Sequence, residues 1–203
     1  MWFIWFIELR GNYRYEIIWT CLKRRYSITK KFIDKLNEFK PDIIVETGTF
    51  YGHTTEFLAQ YNTPVYTTEI LVENYNKAEE RLAELKNVNL LLGDSVTCLE
   101  YIFDDIKGKK VFAFLDSHGC NDSVLERELM LFKKLKIKPF IVIHDFYVPN
   151  EQLNHDTWDG HRYDYEYFKQ YIDELYGEGN YSYSYNQATP VSKIGVILIE
   201  PKN

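Results

Sequence analysis

Short apolar runs alternate with longer amphipathic stretches along most of this chain. Ile43 to Thr47, Pro64 to Glu69, Val88 to Leu92, Val111 to Leu115 and Phe140 to Ile143 are short runs that read as strands. In the first, the β-branched Ile43, Ile44 and Val45 suit a strand buried on both faces. Between them, apolar residues recur at helical spacing. Ile28, Phe32, Ile33, Leu36 and Phe39 share one face of a helical segment read from about Tyr15 to Phe39, with a break near Ser27. Further helices are expected over Gly52 to Tyr61, Glu73 to Lys86 and Val96 to about Asp104. Another opens at Ser123 and Glu126, which have capping-box spacing. This alternation predicts an α/β fold, a doubly wound, mostly parallel sheet of seven strands with helices on both faces.

After the fifth strand the pattern changes. Residues 147 to 163 are polar and aromatic without a clear period, and a helix is expected over Asp164 to Leu175. Tyr181 to Tyr185 alternates like a strand, and Ile194 to Ile199 is apolar. With Pro190 in the loop between them, these two form an expected antiparallel hairpin at one sheet edge.

The 203 residues suffice for one domain with a sizeable core. The expected division is an N-terminal apolar arm and helix over 1–27 and a single α/β domain over 28–203. The opening MWFIWFIEL is too short to span a bilayer and lacks the pattern of a signal peptide. It reads as an arm packed on its own domain or on a second subunit, which would make a homodimer. A membrane-surface patch is the alternative. The net charge of −6 disfavours a surface that coats nucleic acid. Three cysteines, Cys21, Cys98 and Cys120, fit free thiols and a cytoplasmic location.

The candidate chemistry sits where strands end. Glu46, Glu69, Asp94, Asp116 and Asp145 each close a predicted strand. Each acid alone fits a helix cap or a solvated loop. Together they line the edge where open α/β sheets bind ligands. Converging carboxylates repel, and a ligand's hydroxyls, amines or cation would offset that repulsion. The first of these acids opens the turn Gly48 to Gly52, whose G-x-x-x-G spacing differs from the dinucleotide G-x-G-x-x-G fingerprint.

The series ETGTFYGHTT, VYTTEI, LLGDS, FAFLDSHG and IVIHDF resembles class I S-adenosylmethionine-dependent methyltransferases, most of all the macrocin O-methyltransferase and cephalosporin-hydroxylase-like group. The resemblance runs from about residue 28 to the C-terminus. It implies a Rossmann-like fold and S-adenosyl-L-methionine as cofactor. Glu46, Gly48, Thr49, Gly52 and Thr54 would form the pocket for its methionine end. Glu69 would meet the ribose hydroxyls, and Asp94 with Ser95 the adenine. The acceptor would be a small hydroxylated molecule such as a sugar or natural-product ring. Asp116, His118, His144 and Asp145 would form the catalytic end, with Asp116 also touching the cofactor. Asp116 and Asp145 could hold Mg²⁺ or another divalent cation, and His118 or His144 could serve as base. Two departures stand out. The first motif lacks the middle glycine of the commoner E/D-x-G-x-G pattern, and Asp116-Ser117-His118-Gly119 is one residue shorter than D-G-D-H suggests. Competing readings are a nicotinamide-dependent oxidoreductase, or a nucleoside-binding scaffold without catalysis.

Overall fold

The computed structural model describes residues 30–117, 124–186 and 193–202. The N-terminal arm, the helix expected before Ser27, His118, the capping residue Ser123 and the Pro190 loop lie outside the described residues. The elements are α1 (Lys30–Phe39), β1 (Ile43–Thr47), α2 (His53–Leu58), a 3₁₀ turn (Ala59–Tyr61), β2 (Val65–Glu69), α3 (Val72–Leu82) and β3 (Val88–Leu92). Then come α4 (Ser95–Tyr101), α5 (Phe103–Ile106), β4 (Val111–Leu115), α6 (Val124–Lys134) and β5 (Phe140–Ile143). The chain continues with β6 (Thr157–Trp158), β7 (His161–Arg162), α7 (Tyr165–Tyr176), β8 (Tyr181–Asn186) and β9 (Val196–Pro201).

Seven strands form one sheet in the order β3-β2-β1-β4-β5-β9-β8. The first five are parallel, and β9 pairs antiparallel with both β5 and β8. The expected sheet and its reversed edge hairpin are both present. Every residue of β1, β4 and β5 is buried; β4 and β5 are apolar throughout, while β1 ends in the buried Glu46 and Thr47. Successive side chains alternate between two cores. Ile43, Val45, Ala113, Leu115 and Ile141 pack with Leu99, Leu125, Leu129 and Phe168 of α4, α6 and α7. Ile44, Phe112, Phe114 and Phe140 pack on the other face with Phe32 and Leu36 of α1 and Phe57 and Leu58 of α2. Phe32 stands edge-on to Phe112 and Phe114 at 5.4 and 5.9 Å.

Boundaries shifted in four places. The second helix gives way to a 3₁₀ turn at Ala59, and α3 ends at Leu82, before Lys86. Two short helices replace the expected one over Val96 to Asp104. The last strand starts at Val196, because Ile194 is drawn aside into a bridge with Asn154. The aperiodic stretch after β5 contains the β6–β7 hairpin. Its turn is Asp159-Gly160, with φ of 48° and 79°. An Asp-Gly pair is a strong two-residue hairpin signal, but two-residue arms leave no alternation to detect. Among the described residues, no helix is long and apolar enough to cross a membrane.

Candidate active site

The chain runs outward from β1 to β2 and β3, then returns to place β4 on the other side of β1. The crevice at that reversal is the natural ligand site of an open α/β sheet. Here it holds a cleft of about 330 Å³. Gly48 and Phe50 reach it from the turn after β1, and Thr68, Glu69, Ile70 and Leu71 from the end of β2. Gly93, Asp94 and Ser95 close it at β3, with Asp116 and Ser117 at β4. Asn74 of α3 and Val124 of α6 complete the described wall.

Gly48 has φ +83°, and a Cβ there would stand 2.2 Å from the backbone oxygen of Asp116. Glycine therefore lets the first turn lie against the end of β4. Gly52 is absent from the described cleft wall. It begins α2 at φ 76°, and its bare Cα faces the Leu82 side chain of α3. Thr54 on α2 and Thr49 are also absent from the described cleft wall. Thr49 is buried, and its hydroxyl lies 2.6 Å from that of Thr67.

Glu46 stands behind the cleft. It is fully buried, and Oε2 accepts hydrogen bonds from Thr55 Oγ1 at 2.5 Å and Thr67 Oγ1 at 2.6 Å. Oε1 is buried with no hydrogen-bond partner among the described residues. Burial pushes the carboxyl up to about 8; the two threonines pull against this and the Asp116 charge adds to it. Glu46 thus ties β1, β2 and α2 together beneath the turn.

Glu69 closes β2 and braces the cleft. Its Oε2 accepts from the Phe50 N–H at 2.7 Å and its Oε1 from the Leu71 N–H at 2.9 Å. Asp94 caps α4 by accepting from the Thr97 N–H at 3.1 Å, and Arg127 of α6 lies 3.4 Å from the same oxygen.

Asp116 belongs to two groups at once. It lines the cleft, and its Oδ1 is 3.1 Å from His144 Nδ1. That nitrogen is also 3.0 Å from Asp145 Oδ2. Asp145 holds φ 51°, an uncommon backbone state for a residue with a side chain, and its carbonyl accepts from the Asp156 N–H at 2.8 Å. His144 is buried, which opposes its charge, but Asp116 and Asp145 outweigh that and push it up to about 10. With these partners the imidazole keeps its proton at neutral pH. In that state its Nδ1 can donate to either carboxylate. Each of the three residues offers one ligand atom within 4.8 Å of the others. The two carboxylates form a donor pair able to hold a divalent cation, and the imidazole could join them only by giving up its proton.

The aromatic segment after β5 packs chiefly on itself. The Arg162 guanidinium lies 4.0 Å over the Tyr147 ring, which also meets His155 edge-on at 5.1 Å. His161 stacks on Tyr167 at 4.6 Å, and Tyr163 is a core residue. The segment's link to the site is the tie from Asp156 to Asp145.

One buried acid escaped the sequence reading. Glu128 of α6 is 1% exposed, and its Oε1 accepts from Ser117 Oγ at 2.7 Å. A signal was present, since spacing from Leu125 to Leu129 and Phe132 puts position 128 on the apolar face of the helix.

A model of the rhamnosyl O-methyltransferase/CmcI family matches residues 12–186. The chain belongs to that family. Fold and family together define it as an S-adenosylmethionine-dependent O-methyltransferase, which displaces the oxidoreductase reading. No curated protein matches the chain. Solved structures share its fold at low identity. The O-methyltransferase TomG from Streptomyces achromogenes, involved in tomaymycin synthesis and in complex with SAM, is 18% identical with a TM-score of 0.60, covering 83% of this chain and 76% of that one. An O-methyltransferase from Bacillus cereus in complex with SAH is 17% identical with a TM-score of 0.62, covering 96% and 94%. The N-terminal domain of EvdMO1 with SAH bound is 15% identical with a TM-score of 0.55, covering 84% and 79%.

Proposed function

We propose that this enzyme moves the methyl group of S-adenosylmethionine to a hydroxyl of a small molecule, a sugar or a natural-product ring. One observation carries the reading: Asp116 both lines the cleft and belongs to the Asp116–His144–Asp145 group. A donor lying across the ends of β3, β2 and β1 would bring its methyl group to that acid. An acceptor hydroxyl beside Asp145 would then sit in line for displacement, and positioning would supply most of the acceleration.

In this reading Glu69 meets the ribose hydroxyls with the lone pairs its two backbone donors leave over. Asp94 and Ser95 face the base. Gly48 gives the methionine end close access to backbone, and Glu46, Thr49, Gly52 and Thr54 shape the turn from behind. Asp116 and Asp145 would hold a divalent cation such as Mg²⁺, with His144 beside them. When bound, the cation would favour the ionised acceptor hydroxyl. His144 keeps the two carboxylates aimed at one point.

Titration calorimetry with S-adenosylhomocysteine tests the cofactor half of the reading. Binding is expected for the wild type, and no binding at millimolar ligand overturns the proposal. A panel of sugars and hydroxylated aromatic rings, followed by the loss of S-adenosylmethionine, tests the acceptor half. A protein that binds the nucleoside but methylates nothing in the panel would return the scaffold reading to favour.

A further inference from the structure

His144 and Asp145 are consecutive, yet both side chains reach one point. Asp116 Oδ1 and Asp145 Oδ2 stand 3.1 and 3.0 Å from His144 Nδ1. In a regular strand, neighbouring side chains leave on opposite faces. The pairing with β9 shows how the chain departs from that rule. Ile143 is paired with Ile197, and beyond that pair the Phe146 N–H donates to the Gly195 carbonyl at 2.8 Å. His144 and Asp145 together therefore stand opposite Val196 alone. Two residues against one make a β-bulge, which re-aims side chains beside active sites. Asp145 is the extra residue, held at φ 51° in a left-handed state more often filled by glycine.

Gly195 closes this bulge. It is buried, and a Cβ there would stand 1.9 Å from the Phe146 carbonyl oxygen and 3.0 Å from Val148 Cγ2. Its φ lies outside the left-handed region, so glycine is needed here for the close approach and not for its conformation. The groups it faces are fixed. Phe146 is fully buried with its ring 6.1 Å from that of Phe168, and Val148 is buried too. Gly195 also donates its N–H to the Asn154 carbonyl at 3.0 Å, and the Asn154 N–H donates to the Lys193 carbonyl. The same loop brings the Asp156 N–H to the Asp145 carbonyl at 2.8 Å. Pressure on the Phe146 carbonyl is thus passed to the adjoining Asp145.

We propose that Gly195 is a positioning residue for Asp145. Its bare Cα lets the chain entering β9 close the bulge that aims the Asp145 carboxylate at His144 and Asp116. What that placement does for methyl transfer rests on the function proposed above. The placement itself is a property of the protein alone, so it can be tested without an acceptor or a metal.

The experiment is NMR of protein labelled with nitrogen-15 histidine. In the wild type the His144 Nδ1 proton lies between two carboxylates, and the charge-assisted bond should put its resonance far downfield of an ordinary imidazole proton. Loss of the signal in His144→Gln assigns it. Gly195→Ala should move the resonance upfield or lose it to exchange with solvent. Affinity for S-adenosylhomocysteine should stay nearly unchanged, because Gly48, Glu69 and Asp94 are untouched. Gly108→Ala is the control, since Gly108 has φ +71° and nothing within 4 Å of an added Cβ. It should lower stability and leave the resonance in place. A merely structural Gly195 would behave in the same way when replaced, and that result overturns the inference.

With an acceptor in hand, Gly195→Ala should lower kcat by more than about tenfold and leave the KM for S-adenosylmethionine nearly unchanged, the mark of a misplaced group at the reacting end. A displaced resonance with full turnover would support the placement and count against the function proposed for Asp145, so the two failures are distinguished. If Gly195→Ala does not fold, hydrogen exchange on the wild type decides. The Phe146 amide should exchange as slowly as the amides of β9, because Gly195 closes it. A fast Phe146 amide beside a protected β9 overturns the inference, as does a wild type without the downfield resonance.

Discussion

Gly48 and Asp116 meet backbone to backbone: a Cβ on the glycine would stand 2.2 Å from the aspartate's carbonyl oxygen. The contact joins the ends of β1 and β4, the two strands between which the sheet reverses direction. It also fixes where the Asp116 carboxylate stands relative to the cleft. Gly48→Ala would add a left-handed backbone penalty to a clash with main chain that cannot rotate away. A loss of more than about 2 kcal/mol in urea unfolding is expected. Gly108 is the control, because it has φ +71° but nothing within 4 Å of an added Cβ. Gly108→Ala should cost about 1 kcal/mol, the backbone term alone. Equal effects at the two sites would show that the close approach does not matter.

How much of this was legible in the sequence follows from what each residue depends on. The parallel strands were legible because β4, β5 and the first three residues of β1 are buried and apolar. The five acids were legible because a strand ends where its apolar run ends. The roles of Gly52 and Thr54 were not, since a βα turn has two sides and sequence spacing does not say which side faces the ligand. Glu128 was missed for a related reason. A lone acid on an apolar helix face is usually a boundary residue, and its partner Ser117 lies 11 positions away, past the end of β4. The charged state of His144 could not be read either. It depends on two carboxylates meeting at one nitrogen, which is a property of the assembled sheet ends.

The burial of Glu46 makes stability depend on pH. Its carboxyl is pushed up to about 8 in the folded protein, while the unfolded chain leaves it in the ordinary carboxylate range. Between those two values the folded state binds the extra proton. Stability therefore falls as pH rises from about 5 toward 8. Glu46→Gln removes this titration and keeps most of the shape. The melting temperature of the variant should decline less than that of the wild type between pH 5.5 and 8.5. Parallel curves for the two proteins would show that Glu46 is already ionised in the fold.

Glu69 braces two loops with one carboxylate, accepting from Phe50 N–H and Leu71 N–H. Glu69→Ala would remove both anchors along with any contact to ribose. Affinity for S-adenosylhomocysteine should drop by about 1–3 kcal/mol, the usual cost of leaving polar groups unmatched. Glu69→Gln retains one acceptor oxygen, so it should fall between the wild type and the alanine variant. An alanine variant that binds as tightly as the wild type would remove Glu69 from the cofactor site.

The two acids that flank His144 should separate in their effects. Asp116 faces both the cleft and the imidazole, whereas Asp145 meets the imidazole and is absent from the described cleft wall. Asp145→Asn should abolish turnover while leaving cofactor affinity nearly unchanged. Asp116→Asn should lose turnover and weaken the cofactor as well. Both variants lower the charge that a cation would need, so the metal question is settled on the wild type. After exhaustive EDTA treatment, activity should disappear and return with Mg²⁺ or Mn²⁺, because the Asp116 and Asp145 carboxylates converge within 4.8 Å. Full activity in EDTA would eliminate the cation and leave the protonated His144 as the positive charge between the acids. If the Asn variants also kept full activity, the acceptor would have to bind elsewhere on the sheet edge, and Asp145 would be only a loop residue tied to Asp156.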